Sequence, residues 1–330
     1  MITEFGKRGR RGLALGALAL AGVMLAGCSI DGSSNGSKDG GDDTYTVGIV
    51  SYDTTTLSAK SETDGAKTAM EAEGWEVLSQ DPKGDAAQAN TICTQYVTRQ
   101  VDAIVISVFD TNQMAQCMTG AAAAQIPVFY LAGSLADGVA GAISTTAASP
   151  VNEYMIEQIK DLPKLKILAM TLQPGAPCRA READLDEKLE AAGLSDKIEK
   201  HEVVVPGQVT DAQNATAAWL QANPESEGSD LVIWACFSDP AMGAYAALQQ
   251  ADRDVPIYTW DFSDQVVEPL RSGDISAVLY IDAAGEGGQL VELIKAHLAG
   301  EDPQEVDANT IIVTPDNLEE FLAEHPEYAA

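Results

Sequence analysis

The chain has 330 residues, with 50 Asp and Glu against 20 Lys and Arg, a formal net charge of −30. At roughly 150 residues per domain, this length predicts two domains, each large enough to bury a core. Hydrophobic residues at 45% and charged residues at 21% exclude wholesale disorder. The surplus negative charge repels phosphates and excludes nucleic acid as a partner, and three scattered histidines (His201, His297 and His325) offer no multi-histidine metal site.

Lys7, Arg8, Arg10 and Arg11 precede an apolar run over residues 12–25, shorter than the ~20 residues of a membrane span. The run ends in Leu25-Ala26-Gly27-Cys28, which resembles a bacterial lipobox: small residues admit a signal peptidase and the Cys28 thiol receives diacylglycerol. Residues 1–27 are therefore expected to be a lipoprotein signal peptide, the alternative being an ordinary signal peptide with a chance cysteine after it. Arg10-Arg11-Gly12-Leu13 faintly resembles a twin-arginine signal and leaves the export route open. Cleavage before Cys28 removes Glu4 and four basic residues, taking the charge from −30 to −33. Residues 28–43 are Gly, Ser and Asp with almost nothing apolar, a composition that predicts a flexible tether. Acyl chains on Cys28, at ~0.8 kcal/mol per buried CH₂, would anchor the protein to the membrane on its extracytoplasmic side.

Setting Cys28 aside leaves Cys93, Cys117, Cys178 and Cys236 in an oxidising compartment. Four cysteines allow three pairings. Their places on the predicted elements favour Cys93–Cys117 and Cys178–Cys236, against the alternative of four buried thiols.

From residue 44 short apolar runs alternate with amphipathic stretches. Strands are predicted at 45–51, 75–79, 103–107, 127–131 and 139–144, with helices at 59–73, 86–99 and 113–124 between them. The alternation restarts with helix 150–160, strand 165–170, helix 179–192, strand 202–205, helix 211–221, strand 231–236 and helix 240–250. Strand 256–260, helix 265–271, strand 276–281, helix 285–298, strand 310–313 and helix 317–324 follow. Two rounds of buried strand and helix predict an α/β protein of two doubly wound, Rossmann-like lobes with parallel sheets. In such sheets ligands bind beyond the carboxyl ends of the strands, which two facing lobes would bring together across a cleft.

Several segments carry a more specific likeness. Asp64-Gly65-Ala66 lies in the first helix, residues 101–107 read VDAIVIS with Asp110 beyond, and Ile126-Pro127-Val128 opens the fourth strand. Arg179-Ala180-Arg181 opens a helix of the second lobe. Ser238-Asp239 is followed by Ala241-Met242-Gly243-Ala244, and Thr259-Trp260-Asp261 ends a strand. Together these resemble the ribose/galactose class of periplasmic solute-binding proteins serving ABC importers, over residues 45–313. The resemblance implies a type I periplasmic binding fold whose lobes are joined by three chain segments, near 144–148, 280–284 and 306–310. The N-terminal lobe would then be 44–145 plus 282–308 and the C-terminal lobe 146–281 plus 309–330.

A sugar-like ligand needs carboxylates and arginine forks for its hydroxyls and aromatic rings for its C–H faces. The strand ends supply Tyr52, Asp53, Thr54, Thr55, Phe109, Asp110, Arg179, Phe237, Ser238, Asp239, Asp261, Tyr280 and Asp282. By resemblance, Arg179, Asp261 and the 237–239 stretch occupy ligand-contacting positions, Asp261 foremost. Simpler roles compete: Asp239 as a helix N-cap before Pro240, Asp53 as a turn residue, Tyr52 packed on the lobe surface, Trp234 and Trp260 as core. Arg181 and Glu182 would form solvated helix contacts or a pair internal to one lobe. The chain has Leu131-Ala132-Gly133-Ser134 where the ribose-like pattern has an Asp-Arg pair, so ribose itself is not implied. The carboxylates outnumber Arg179, favouring a neutral sugar or polyol, or a nucleoside or cationic amine, over an anion.

No serine-hydrolase, zinc-protease, P-loop or dinucleotide fingerprint occurs, so neither an enzyme nor a bound metal or cofactor is expected. A lac-repressor-type regulator shares the fold but needs a helix-turn-helix where this chain has its lipid signal. The expected partners are a small polar solute, ABC permease subunits and the membrane; a sensor role beside a membrane receptor or kinase is the alternative.

Overall fold

The structure is a computed structural model and describes residues 44–144 and 149–329. The expected signal peptide, tether and Cys28, and most of the first expected crossing at 144–148, lie outside the described residues.

The first half runs β1 (Thr46–Val50), α1 (Leu57–Ala72), β2 (Glu76–Gln80), α2 (Ala86–Arg99), β3 (Ala103–Ser107), α3 (Ala115–Ala124), β4 (Val128–Leu131) and β5 (Gly141–Ser144). The second runs α4 (Ser149–Ile159), β6 (Leu165–Thr171), α5 (Ala176–Ala192), β7 (Ile198–Glu202), α6 (Gln208–Ala222), β8 (Asp230–Ala235), α7 (Ser238–Ala251), β9 (Ile257–Trp260), α8 (Val267–Ser272) and β10 (Ile275–Ile281). The chain closes with α9 (Ala283–Leu298), β11 (Gln304–Asp307), β12 (Thr310–Val313) and α10 (Leu318–Glu324).

Two six-stranded sheets result, in the orders β11-β5-β4-β3-β1-β2 and β12-β10-β9-β8-β6-β7. Both reverse their winding beside the first strand laid down, β1 in one and β6 in the other, the topological switch where such sheets open a crevice. The central strands β3, β4 and β5 are buried along their whole length, as strands covered by helices on both faces must be. These are two parallel-sheet α/β lobes.

One strand departs from the expected parallel order: β12 pairs antiparallel with β10, with Thr310 opposite Ile281. β11 runs parallel to β5 in the first sheet and only Ala308 and Asn309 separate it from β12. The chain leaves the first sheet at its carboxyl edge and enters the second at that sheet's carboxyl edge, so it must run backwards there. The two loop-bearing edges therefore face each other.

Other boundaries move for physical reasons. β7 is at Ile198–Glu202, upstream of the expected 202–205, because this edge strand is half exposed and carries no apolar run. The Val203-Val204-Val205 run that suggested it follows the strand. β11, exposed and reading QEVD, gave no signal at all. α5, α6 and α7 each begin two to three residues earlier than expected, which places Cys178, Ser238 and Asp239 within first turns. Phe237, not Asp239, is the N-cap residue of α7.

Glycines set one contact that matters for the cleft. A Cβ on Gly65 of α1 would lie 2.3 Å from the Ala283 carbonyl oxygen, and one on Gly287 of α9 would lie 2.5 Å from that of Gly65. The two helices thus pack backbone to backbone. Cys93 of α2 and Cys117 of α3 stand at disulfide distance with Cα atoms 5.5 Å apart, as do Cys178 and Cys236 at 5.3 Å.

Candidate functional site

Between the facing edges lies a narrow cleft whose empty space, counted together with the part open to solvent, is about 370 Å³. Tyr52, Thr56, Ala59, Glu62 and Val108 line it from the first lobe; Leu172, Pro177, Cys178, Arg181, Phe237 and Asp261 line it from the second. The walls are largely apolar, and the polar groups converge at one end, an arrangement suited to orienting a small ligand that has both a hydroxylated edge and a C–H face.

That polar end is built around Arg181. Its side chain is 2% exposed, and its Nη1 donates to the Cys236 carbonyl at 2.6 Å. The two guanidinium nitrogens bond the Asp261 carboxylate, Nη2 to Oδ1 at 3.1 Å and Nη1 to Oδ2 at 3.3 Å. Trp260 lies 5.5 Å from the guanidinium carbon, with Trp234 edge-on behind it, so the tryptophans are core that backs the arginine. Asp261 leaves β9 with φ of 67°, a left-handed conformation uncommon outside glycine that Asp tolerates. That turn aims its carboxylate at Arg181.

Val108, at φ 68°, is a β-branched residue in the same region and a genuine backbone outlier. Its carbonyl accepts from the Ala176 N–H at 3.1 Å, tying the β3 end to the start of α5 across the cleft. Further bonds cross between the lobes: Gln113 Nε2 to the Pro174 carbonyl, Gln208 Nε2 to the Thr55 carbonyl, and the Leu57 N–H to Asp239 Oδ2. The lobes are shut over the cavity.

Glu62 completes the polar end from the first lobe. It is buried, and its carboxyl is pushed up to about 8, by burial first and then by Asp261, with Arg181 opposing. Behind it, Glu286 of α9 is raised well above the carboxylate range by burial, Glu62, Asp261 and Asp282. Burial, then Asp53, pushes the Tyr52 hydroxyl up to about 12, so it remains a donor. Among the described residues, no three His, Cys, Asp or Glu side chains are arranged to hold a metal ion.

The expected site residues divide. Tyr52, Phe237 and Asp261 line this cavity. Ser238 and Asp239 are buried beside it; Asp239 Oδ2 accepts from Gln208 Nε2 at 2.8 Å. Asp53 shapes the β1–α1 turn by accepting from the Thr55 N–H at 2.7 Å and from the Thr55 hydroxyl, while Thr54 turns out to Asp81. Thr56, not its exposed neighbours Thr54 and Thr55, lines the wall. Arg179 and Asp110 pair at 2.7 Å in a second, rim-side recess with Phe109 and Tyr130. Tyr280 and Asp282 lie in a separate groove with His325 and Tyr328, where Asp282 caps α9 through the Gly285 N–H.

The arginine in the cavity is Arg181, and it is not solvated: it pairs within its own lobe, while Glu182 reaches Lys200 and Gln173. Two residues along a helix differ by roughly 200° in direction, so Arg179 and Arg181 cannot face the same space. The signal was the buried stripe of α5, Pro177-Cys178-Arg181-Leu185-Leu189. Glu62 stands likewise on the stripe of α1 with Ala59, Thr63, Ala66 and Met70, and Glu286 on that of α9.

A family model described as a periplasmic binding protein domain matches residues 47–302, and the chain belongs to that family. The D-apiose import binding protein of Actinobacillus succinogenes is 25% identical over 222 residues, 65% of this chain and 69% of that protein. Two solved structures share the fold. An ABC transporter solute-binding protein from Agrobacterium vitis with bound allitol has a TM-score of 0.76 at 18% identity, covering 85% of this chain and 99% of its own. The binding component of the arabinose ABC transporter from Shewanella sp. ANA-3, bound to L-arabinofuranose, has a TM-score of 0.74 at 15% identity, over 86% and 96%.

Proposed function

We propose that this protein is the extracytoplasmic, lipid-anchored substrate-binding component of an ABC importer that captures a small uncharged sugar or polyol by hinge closure and does not turn it over. The closed cavity carries the reading. Groups from both lobes converge on it, so a ligand there would stabilise the shut form over the open one. Relatives named for import of D-apiose or found with allitol or arabinofuranose support the same ligand class.

In this reading the N-terminal lobe is 44–145 plus 282–308 and the C-terminal lobe 146–281 plus 309–330, with hinges at the three crossings. Passage of α9 and β11 to the first lobe and of β12 to the second supports that division. The Cys93–Cys117 and Cys178–Cys236 pairs are disulfides, the second bracing the wall that carries Arg181. Cys28 bears the lipid.

Thermal shift of the mature protein across pentoses, hexoses, polyols, nucleosides and amines tests the function. A true ligand at ~100 times its Kd stabilises by roughly 2.7 kcal/mol. A shift with amines or nucleosides alone would overturn the sugar assignment. Mass spectrometry of protein from membranes reads the Cys28 acylation directly.

A further inference from the structure

The polar end of the cavity holds more carboxylates than its arginine neutralises. Glu62, Glu286 and Asp261 gather about Arg181, and of these Asp261 alone bonds the guanidinium. Glu62 is 6% exposed and lines the cavity, yet its Oε2 has no hydrogen-bond partner among the described residues. Neither carboxyl oxygen of the fully buried Glu286 has one either, and Arg181 Nε is likewise unpartnered. Ionised carboxylates without donors are costly in such a place, whereas a neutral acid offers an O–H to a ligand. The pair cannot relax apart, because α1 and α9 touch backbone to backbone through Gly65 and Gly287.

We propose that Glu62 closes on the bound sugar as a neutral carboxylic acid, backed by Glu286, so that it donates a hydrogen bond into the cavity and capture takes up a proton. This rests on the reading of the cavity as a sugar site and assigns Glu62 as a specificity residue within it. The charged groups acting on Glu62 are Asp261 and Arg181 from across the cleft; Glu62 itself, Asp261, Asp282 and Arg181 act on Glu286 of α9. From α7, Asp239 is engaged by Gln208 and the Leu57 N–H, and Glu76 of β2 is exposed. Of the three charged groups around the pair, Asp261 and Asp282 are anionic and favour the proton, and Arg181 opposes it.

Opening the cleft would admit water and take Asp261 away, so the Glu62 carboxyl would fall from about 8 towards its free value of 4.5. The closed form holds the proton more tightly. Affinity for an uncharged ligand is therefore greatest at acid pH, falls between those two values by up to roughly tenfold per pH unit, and is flat above.

Titration calorimetry of the mature protein with L-arabinose, D-apiose, galactose and allitol as probes, in pairs of buffers differing in ionisation enthalpy near neutral pH, reads the proton directly. Uptake of as much as one proton per sugar bound, with the falling affinity profile, is expected. Glu62→Gln keeps an amide donor but carries no titrating proton, so it should lose most of the uptake and of the pH slope, whatever its affinity. Sugar binding with no buffer dependence overturns the proposal, as does a folded Glu62→Gln variant that retains the full slope. If that variant fails to fold, the wild-type proton count decides alone. Failure of every probe to bind at any pH is failure of the sugar reading itself, and this proposal goes with it.

Discussion

Arg181 and Asp261 face each other at the polar end of the cavity, Nη2 to Oδ1 at 3.1 Å, with 2% and 8% of their side chains exposed. Both belong to the second lobe, so the pair persists whether the cleft is open or shut. A buried ion pair of this kind contributes little net stability, because desolvation offsets the attraction. What it supplies is a fixed fork of donors and acceptors.

Removing one partner is therefore expected to be severe. Asp261→Asn leaves the guanidinium without its counter-charge and should lower unfolding stability by about 3 kcal/mol and abolish the ligand-induced thermal shift. Chemical denaturation with and without sugar measures both. An unchanged shift would remove Asp261 from the site.

The rim pair behaves differently. Arg179 and Asp110 join the two lobes but are about one-third exposed, at 32% and 31%. Arg179→Ala should change unfolding stability by about 0–1 kcal/mol and shift the closing equilibrium by a similar amount, less so in high salt. Small-angle scattering and calorimetry at two ionic strengths test it; a loss as large as that of Asp261→Asn would reverse the ranking of the two arginines.

The α1–α9 contact leaves no room for a methyl group at Gly65, while Gly288 has no neighbour within 4 Å of where one would sit. Gly65→Ala should cost about 1–3 kcal/mol through overpacking. Gly288→Ala should instead stabilise by about 0.5–1 kcal/mol, since alanine restricts the unfolded chain more. Thermal melts of the two variants should move in opposite directions.

The two proposed disulfides would close loops with sequence separations of 24 and 58. Breaking either as a double alanine variant should cost about 3–4 kcal/mol, the longer loop slightly more, by the chain-entropy relation. Four alkylatable thiols in the unreduced, unfolded protein would refute both bonds.

Raised carboxyls also fix a sign for folding. Glu62 in the folded chain lies at about 8 against 4.5 when free, and burial raises Glu286 and Asp239 as well. Their contribution is fully present below the free value and lost as pH climbs through the folded one. The gap in melting temperature between Glu62→Gln and wild type should therefore widen in favour of the variant from mildly acid to mildly alkaline pH. A gap constant with pH would mean that Glu62 titrates as an ordinary surface acid.

Local pattern determined a great deal here. The runs at 103–107 and 231–236 are buried on both faces, so continuous apolar sequence sufficed to mark them as central strands, and their alternation with helices forced two parallel-sheet lobes. The β12 reversal, the exposed β7 and the silent β11 needed the tertiary structure, because an edge strand is defined by its hydrogen-bonding partner and not by its side chains. The site divides the same way. Asp261 could be found at a strand end, but the choice of Arg181 over Arg179 depended on where α5 begins, and Glu62 and Glu286 matter only because two helices distant in sequence meet at Gly65 and Gly287. Burial along one segment is written in its own periodicity, whereas the charge balance inside a cavity is a sum over segments that only folding brings together.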